Sequence, residues 1–366
     1  MVDRVSSASR YAQLVAAMQM NQANFNKLTA QLSSGSKIID LTDDPIASVN
    51  ILNTTKQLGQ IETFGQNVGM ASAEISALDD LLDLANGYLS TAWDKAVQAN
   101  NQTYGEGSLK ALKVEIDEIT KTMIDLANTQ YNDNYIFSGA NTKTLTYTMT
   151  KDGEIKYNGT PQDDPNYIRQ TEVADGVFEV INTTGDKVFG WYNNGPAQTK
   201  DGKNIFLDKD GKEVIETDTN GVKTYAYADG GTAITDQDVI DALEPKPDCS
   251  GVLGALKSLS NSIQKVIDGD TERGYKDMNA TLDMFANSLN TITTEQTKFG
   301  GVANRLDMTN STLETNTENL TSYLSQVQDV DYASAITQWM NAQYAYQASM
   351  QIASGSMNMS LLNYIQ

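Results

Sequence analysis

Met278, Phe285, Ile292, Phe299, Leu306, Leu313, Leu320 and Val327 recur every seven residues without a break. An α-helix keeps such a stripe on one side only by supercoiling against another helix. The pattern predicts one helix of roughly 70 Å between Met278 and Val327, at about 1.5 Å per residue. Its partners must come from elsewhere in the chain or from another copy. Leu14, Met18, Asn21, Phe25, Leu28 and Leu32 step by four and three, and Leu109, Leu112, Ile116, Ile119, Met123 and Leu126 by three and four. The same spacing runs with a stutter through Leu58, Ile61, Val68, Ile75, Leu78, Leu82, Ala85 and Leu89. An ordinary amphipathic bundle is the plainer alternative, but helices this long favour an elongated, antiparallel coiled-coil rod built from both chain ends.

Punctuation divides the chain further. A first helix from about Val5 to Leu32 ends at Ser33-Ser34-Gly35, where Gly35 can take the left-handed cap conformation. Thr42-Asp43-Asp44-Pro45 starts the second helix, with Asp44 as cap and Pro45 in the first turn. That helix runs to about Ala99, and after the turn Asn100 to Gly107 a third returns antiparallel from Ser108 to about Asn132. From Tyr135 the pattern becomes β. Asp152-Gly153, Asp175-Gly176, Asp201-Gly202, Asp210-Gly211, Asn220-Gly221 and Asp229-Gly230 predict hairpin turns between short runs of Val, Ile, Tyr, Phe and Thr. Helices resume at Val252 to Ile267, break at Asp268-Gly269-Asp270, and continue through the heptad helix to a last stretch from Tyr332. The fold class is therefore mainly α with an inserted all-β domain. The expected segments are 1–44 and 332–366 as paired terminal assembly helices, 45–140 and 251–331 as the two rod arms, and 141–250 as a β-rich outer domain. Gly300-Gly301 interrupts the long helix, and close backbone packing explains it better than a hinge.

Composition narrows the chemistry. Aromatic residues make up 8% of the 366, which suits narrow helical seams better than one large core. A net charge of −21 argues against nucleic acid and anionic membrane as partners. Histidine is absent, which removes the commonest general base and zinc ligand; no catalytic, cofactor or metal constellation can be assembled, and an enzyme is not expected. The single Cys249 excludes an internal disulfide, and its Pro-Lys-Pro-Asp-Cys-Ser-Gly setting predicts an inert thiol in a boundary loop. No signal peptide or membrane span is visible, although an export system reading an unfolded N-terminus leaves no hydropathy mark.

Two candidate sites have plainer readings. Asp208-Lys209-Asp210-Gly211-Lys212-Glu213 superficially resembles a calcium loop, but its Gly comes too early and its flanks are strand-like, so a hairpin turn is favoured. Phe189, Trp191 and Tyr192 could hold a sugar, yet such residues more often fill a small β core. At the C-terminus the functional reading prevails. Trp339, Tyr344 and Tyr346 with Met340, Met350, Met357 and Met359 compose a soft apolar helix, suited to folding against a partner. Leu14, Met18, Phe25, Leu28 and Leu32 are expected to face Ile336, Met340, Met350, Met357 and Leu361.

Leu32-Ser33-Ser34-Gly35-Ser36-Lys37-Ile38 with Asp43-Asp44-Pro45, and Phe299-Gly300-Gly301-Val302-Ala303-Asn304-Arg305-Leu306 with Asp329-Val330-Asp331-Tyr332-Ala333, resemble the N- and C-terminal signatures of the bacterial flagellin superfamily. Within it, Asp43-Asp44-Pro45, Asn134-Tyr135-Ile136-Phe137-Ser138-Gly139, Tyr157-Asn158-Gly159, the opening Arg4-Val5-Ser6-Ser7 and Ser360-Leu361-Leu362-Asn363-Tyr364 are more similar to the hook-associated, junction-forming branch than to filament subunits. The Pro-Phe often found after Gly139 in that branch is missing. The resemblance implies a structural adaptor exported unfolded through the flagellar type III channel, its C-terminal helix held beforehand by a cytoplasmic chaperone. It also implies a homo-oligomeric ring between a hook-side junction protein and flagellin, outside the cell. A filament subunit is the alternative, and an adhesin or glycan-binding protein using the β domain is a further one.

Overall fold

The computed structural model describes residues 7–219, 221–230 and 233–365, apart from the side chains at 7, 8, 10, 11, 194 and 356–365. Two long helices open the chain, α1 (Ser7–Ser34) and α2 (Pro45–Ala99). Gly35, at φ 72°, closes α1 by donating its N–H to the Gln31 carbonyl at 2.9 Å. At the start of α2, Asp44 Oδ1 accepts from the amides of Ile46 (3.1 Å) and Ala47 (3.0 Å). α3 (Glu106–Ala127) returns beside α2, where Lys95 Nζ lies 2.6 Å from Glu115 Oε2.

α3 ends at Ala127 rather than near Asn132. Asn128 is the reason: its Nδ2 donates to the Tyr147 carbonyl (3.0 Å) and its Oδ1 accepts from the Tyr147 N–H (2.7 Å), so the side-chain amide imitates a neighbouring strand. Asn132 and Asp133, at φ 49° and 60°, then reverse the chain between β1 (Gln130–Tyr131) and β2 (Asn134–Tyr135).

The β region continues through β3 (Tyr147–Met149), β4 (Ile155–Tyr157), β5 (Gln170–Ala174), β6 (Val177–Val180), a short α4 (Gly185–Val188), β7 (Trp191–Pro196) and β8 (Ile205–Leu207). β9 (Glu213–Thr219), β10 (Val222–Tyr227), β11 (Ala233–Ile234), α5 (Gln237–Asp241), β12 (Glu244–Pro245) and β13 (Pro247–Ser250) complete it. Strand orders are β11-β10-β9-β8-β12 in one sheet and β13-β7-β4-β3 in another, with β1-β2 and β5-β6 as separate hairpins, all antiparallel. The glycines of all six predicted Asx-Gly turns have φ between 68° and 84°; Asn220 itself lies outside the described residues. The Asp208–Glu213 segment forms the β8–β9 turn, with Asp208 Oδ1 accepting from the amides of Asp210 and Lys212 at 2.8 Å. Helices α6 (Gly251–Ile267), α7 (Thr271–Gln328) and α8 (Tyr332–Ile365) close the chain.

Two compact units result, 65–310 and the combination of 1–64 with 311–366. In the larger unit α2 buries Val68, Ala71, Ile75, Leu78, Leu82, Ala85, Leu89, Ala92 and Ala96, alternating steps of three and four. α7 buries Met278, Thr281, Phe285, Ser288, Ile292, Glu295, Phe299, Val302 and Leu306 in the same rhythm. The helices are antiparallel: Asn100 Nδ2 donates to Asn279 Oδ1 (2.7 Å), and the Trp93 and Phe285 rings meet edge-on at 6.5 Å. α3 packs on α6 through buried Leu109, Leu112, Ile116 and Met123 opposite Leu253, Leu256, Leu259 and Ile263, while Ile119 is half-buried. Each such buried side chain contributes about 1.5–3 kcal/mol. Gly300 and Gly301 do not pack closely against anything: a Cβ on either would meet nothing within 4 Å. The expectation of close backbone packing there is therefore corrected, and nothing in the structure explains the pair.

The β5–β6 hairpin is tied to both long helices. Asn67 Nδ2 donates to the Glu172 carbonyl (2.8 Å), Arg169 pairs with Glu74, and Arg305 pairs with Glu179. Just beyond it, Thr183 donates to Glu295 Oε2 (2.9 Å) and Lys187 Nζ sits 2.6 Å from Glu295 Oε1. Phe189 and Tyr192 are core residues, and Trp191 donates its Nε1–H to Asp248 (3.1 Å). Phe137 and Phe189 cross at right angles, 4.9 Å apart. Tyr147 donates to the Gly190 carbonyl (2.8 Å), and the Tyr157 hydroxyl lies 3.0 Å from the carbonyls of Phe137 and Thr160. The segments Asn134–Gly139 and Tyr157–Gly159 thus meet at one aromatic hub.

Burial raises both phenols, Tyr147 well above the ordinary range with help from Tyr157 and Asp186, and Tyr157 strongly with help from Asp186. The neutral phenol is the native form, so this contribution is whole below about pH 10, the unfolded phenol value, and is lost as pH rises through the higher native values. Once the exposed tyrosines have ionised near pH 10, a further rise in absorbance at 295 nm should come in a cooperative step coincident with loss of β structure; completion of the whole rise near pH 10 would refute this. Cys249 lines a cavity of about 530 Å³ in the larger unit. Burial, with the nearby Asp248 carboxylate, pushes its thiol up, partly opposed by a hydrogen bond with Ser258. Its labelling by iodoacetamide at pH 8 should be at least about tenfold slower in native than in denatured protein.

Candidate assembly surface

In the smaller unit α1 and α8 lie antiparallel. Phe25 stacks on Tyr346 (6.1 Å, 7°) and leans on Trp339 (5.6 Å, 32°). Trp339 Nε1 donates to Thr29 Oγ1 (2.9 Å), and Asn21 Nδ2 donates to Ser349 Oγ (2.6 Å). Leu28, Ala335 and Ala342 are buried. The inward face of α8 therefore runs through Ala335, Trp339, Ala342, Tyr346 and Ser349, in steps of four and three.

At the base of this pair the connectors join. Ser36 and Asp329 form an antiparallel bridge, flanked by Val330 N–H to the Gly35 carbonyl (2.9 Å) and Lys37 N–H to the Gln328 carbonyl (2.7 Å). A Cβ on Gly35 would come within 2.9 Å of the Tyr332 hydroxyl. Lys27 and Asp43 pair at 2.7 Å, and the hydrogen bond from Lys27 holds the Asp43 carboxyl below its usual range. Leu32–Ile38 and Asp329–Ala333, distant in sequence, thus make one knot in which each segment satisfies the other's backbone.

Leu14, Met18, Phe25 and Leu32 of the expected assembly residues are half-buried, and Trp339 lies in the seam. Ile336, Met340 and Met350 are exposed, so the expectation that they face α1 is corrected. The seam is made by small and aromatic side chains, and the long aliphatic ones point outward. The side chains of Met357 and Leu361 lie outside the described residues. Of the rod-core residues, Leu313 is buried and Leu320 and Val327 are half-buried.

One signal was open to inspection and carries much of the picture: α8 contains no Asp, Glu, Lys or Arg, in a chain that is 20% charged. Hydrophobic spacing alone does not register it. Among the described residues no cluster of His, Cys, Asp and Glu is placed to hold a metal ion, and no helix is long and apolar enough to cross a membrane.

Residues 5–142 match the bacterial flagellin N-terminal helical region and residues 282–365 the bacterial flagellin C-terminal helical region. Flagellar hook-associated protein 3 of Escherichia coli is 25% identical over 98% of each chain. A flagellin of Clostridium tyrobutyricum is 23% identical over 88% of this chain and 90% of its own. The crystal structure of hook-associated protein 3 from Legionella pneumophila superposes with a TM-score of 0.56 at 18% identity, covering 76% of this chain and 98% of that one, which shows a shared fold. The two flagellin regions together span more than half of the sequence, and they are the two ends that the Gly35–Asp329 knot ties together: the chain belongs to the bacterial flagellin family.

Proposed function

We propose that this chain is a structural adaptor of the bacterial flagellum that joins hook to filament. One observation carries the reading: an uncharged 34-residue α8 leaves Ile336, Met340, Tyr344 and Met350 exposed while a thin seam holds it to α1. A run of exposed apolar side chains of this kind marks a surface that other chains bind. Export of the unfolded chain, a cytoplasmic chaperone on the C-terminal helix, and coupled folding of both terminal helices at the growing tip complete the mechanism. Its neighbours are further copies in a ring, a hook-side junction protein and flagellin. In this reading the terminal helices make the tube contacts and the β region takes no part in them.

Similarity to hook-associated protein 3 over nearly the whole chain supports the junction role, as do the Asn134–Gly139 and Tyr157–Gly159 segments at the aromatic hub. A filament role is the second reading, favoured by the similarity to the Clostridium tyrobutyricum flagellin. Immunogold labelling of intact flagella with antibody against residues 142–247 separates them. Gold should sit at the hook–filament boundary; gold along the whole filament would make this chain a filament subunit.

A further inference from the structure

The cavity of about 530 Å³ that Cys249 lines is walled by α6 and the opening turns of α7 together with the β8–β9 turn and the β12–β13 segment. That volume is in the ordinary range for a small-molecule site. Leu207, Pro245, Pro247 and Met284 supply apolar wall. Ion pairs fix the frame: Lys265 Nζ lies 2.6 Å from Glu244 and 2.8 Å from Asp277, and Arg273 lies 3.1 Å from Glu244. These pairs fasten β12 to both helices, so the walls stand before anything enters and binding need not order them.

The charge of this cavity runs against that of the chain. Five of the 26 Lys and Arg line it, against three of the 47 Asp and Glu. All three carboxylates are committed, Glu244 and Asp277 to the ion pairs and Asp208 to the amides of Asp210 and Lys212. Lys246 is likewise paired, with Glu213. Lys209 and Lys276 have no carboxylate partner among the described residues, and they adjoin: Lys276 Nζ donates to the Lys209 carbonyl at 3.2 Å. Two adjoining lysines without counter-charge, beside an apolar wall, are the complement of an anion with an apolar body. We propose that this cavity binds a small organic anion, a carboxylate or sulfonate carried on an aromatic or aliphatic body. Lys209 and Lys276 take the charge, and Leu207, Pro245 and Met284 take the body. Only residues of the unit 65–310 are used, so the site does not depend on the adaptor reading above.

The test titrates anilinonaphthalene sulfonate into the full-length chain and follows isotopically labelled methionine methyl groups by NMR. The Met284 resonance, assigned through Met284→Leu, should move along a saturable single-site curve. Phenylnaphthylamine, the same body without the sulfonate, should bind at least about tenfold more weakly, and Lys276→Glu should weaken the sulfonate by a similar factor. Should Lys276→Glu disturb folding, Lys209→Glu asks the same question. Met340, on the exposed face of α8, is the internal control. Movement of Met340 while Met284 stays still would place the probe on that apolar surface and overturn the proposal. So would the absence of a saturable Met284 shift below about 1 mM probe. Equal affinity for the charged and neutral probes, or an unchanged affinity in both lysine variants, would overturn it as well, because the lysines would then contribute nothing.

Discussion

Deleting residues 332–366 should abolish incorporation into flagella while leaving a soluble, monomeric chain. The deletion removes Ala335, Trp339, Ala342, Tyr346 and Ser349 from the seam, and with them every described side-chain contact that Asn21, Phe25 and Thr29 make across it. α1 then stands alone, and most helices of its length are marginal in water without tertiary packing. Circular dichroism should therefore lose more helix than the 34 residues of α8 account for, because the 28-residue α1 unfolds as well. The unit formed by residues 65–310 has its own seams and aromatic hub, and its melting transition should persist. Gold-labelled truncated protein at the hook–filament boundary would refute the account, and so would an undiminished α1.

Gly190→Ala should be the most damaging single methyl in the chain. Gly190 sits at φ 71°, where a Cβ is strained whatever surrounds it. That Cβ would also lie 1.8 Å from the Ser250 carbonyl oxygen and 2.2 Å from its carbon. Both neighbours are backbone, so no rotamer change relieves the clash. The segments leading into β7 and out of β13 lie side by side here, Trp191 opposite Ser250, next to the Tyr147 to Gly190 bond and the Leu253 N–H to Phe189 carbonyl bond. A loss of at least about 3 kcal/mol is expected in urea unfolding of the full-length protein. Gly301→Ala is the matched control: with open space around it on a helix, it should stabilise by about 1 kcal/mol. Equal effects of the two substitutions would show that the approach of Gly190 to Ser250 is not as tight as described.

Local chemistry made much of this architecture legible in advance. Asp44-Pro45 and Gly35 act within a turn of themselves, and the Asx-Gly pairs need only their own φ, so these positions came through unaided. The seven-residue stripe from Met278 to Leu313 was equally visible, because a seam of large apolar residues repeats its own signal. Asn128 shows where such reasoning stops: its helix is ended by Tyr147, a partner no window around Asn128 contains. The phase of α8 escapes hydrophobic spacing for a different reason. Ranking positions by side-chain size selects Ile336, Met340 and Met350, whereas this helix meets α1 through Ala335 and Ala342 and keeps its bulk for the outside. The uncharged run from Tyr332 onward was in plain view, but its meaning depends on contrast with an acidic chain rather than on spacing.

The polar members of the α7 stripe give the long helix pair a property that leucines would not. A zipper of alanines and leucines repeating every seven residues can slide by one repeat and find nearly the same contacts. Here Thr281, Ser288 and Glu295 occupy successive repeats, and Glu295 is 1% exposed with its two oxygens committed to Thr183 and Lys187. Sliding by seven residues would carry that carboxylate away from both partners and leave it only Lys298, 3.8 Å away on its own helix, as counter-charge. The pair thus has a detent, a single notch in which it can rest. If the chain joins hook to filament as proposed, that notch lets the subunit bear shear along its helices without creeping.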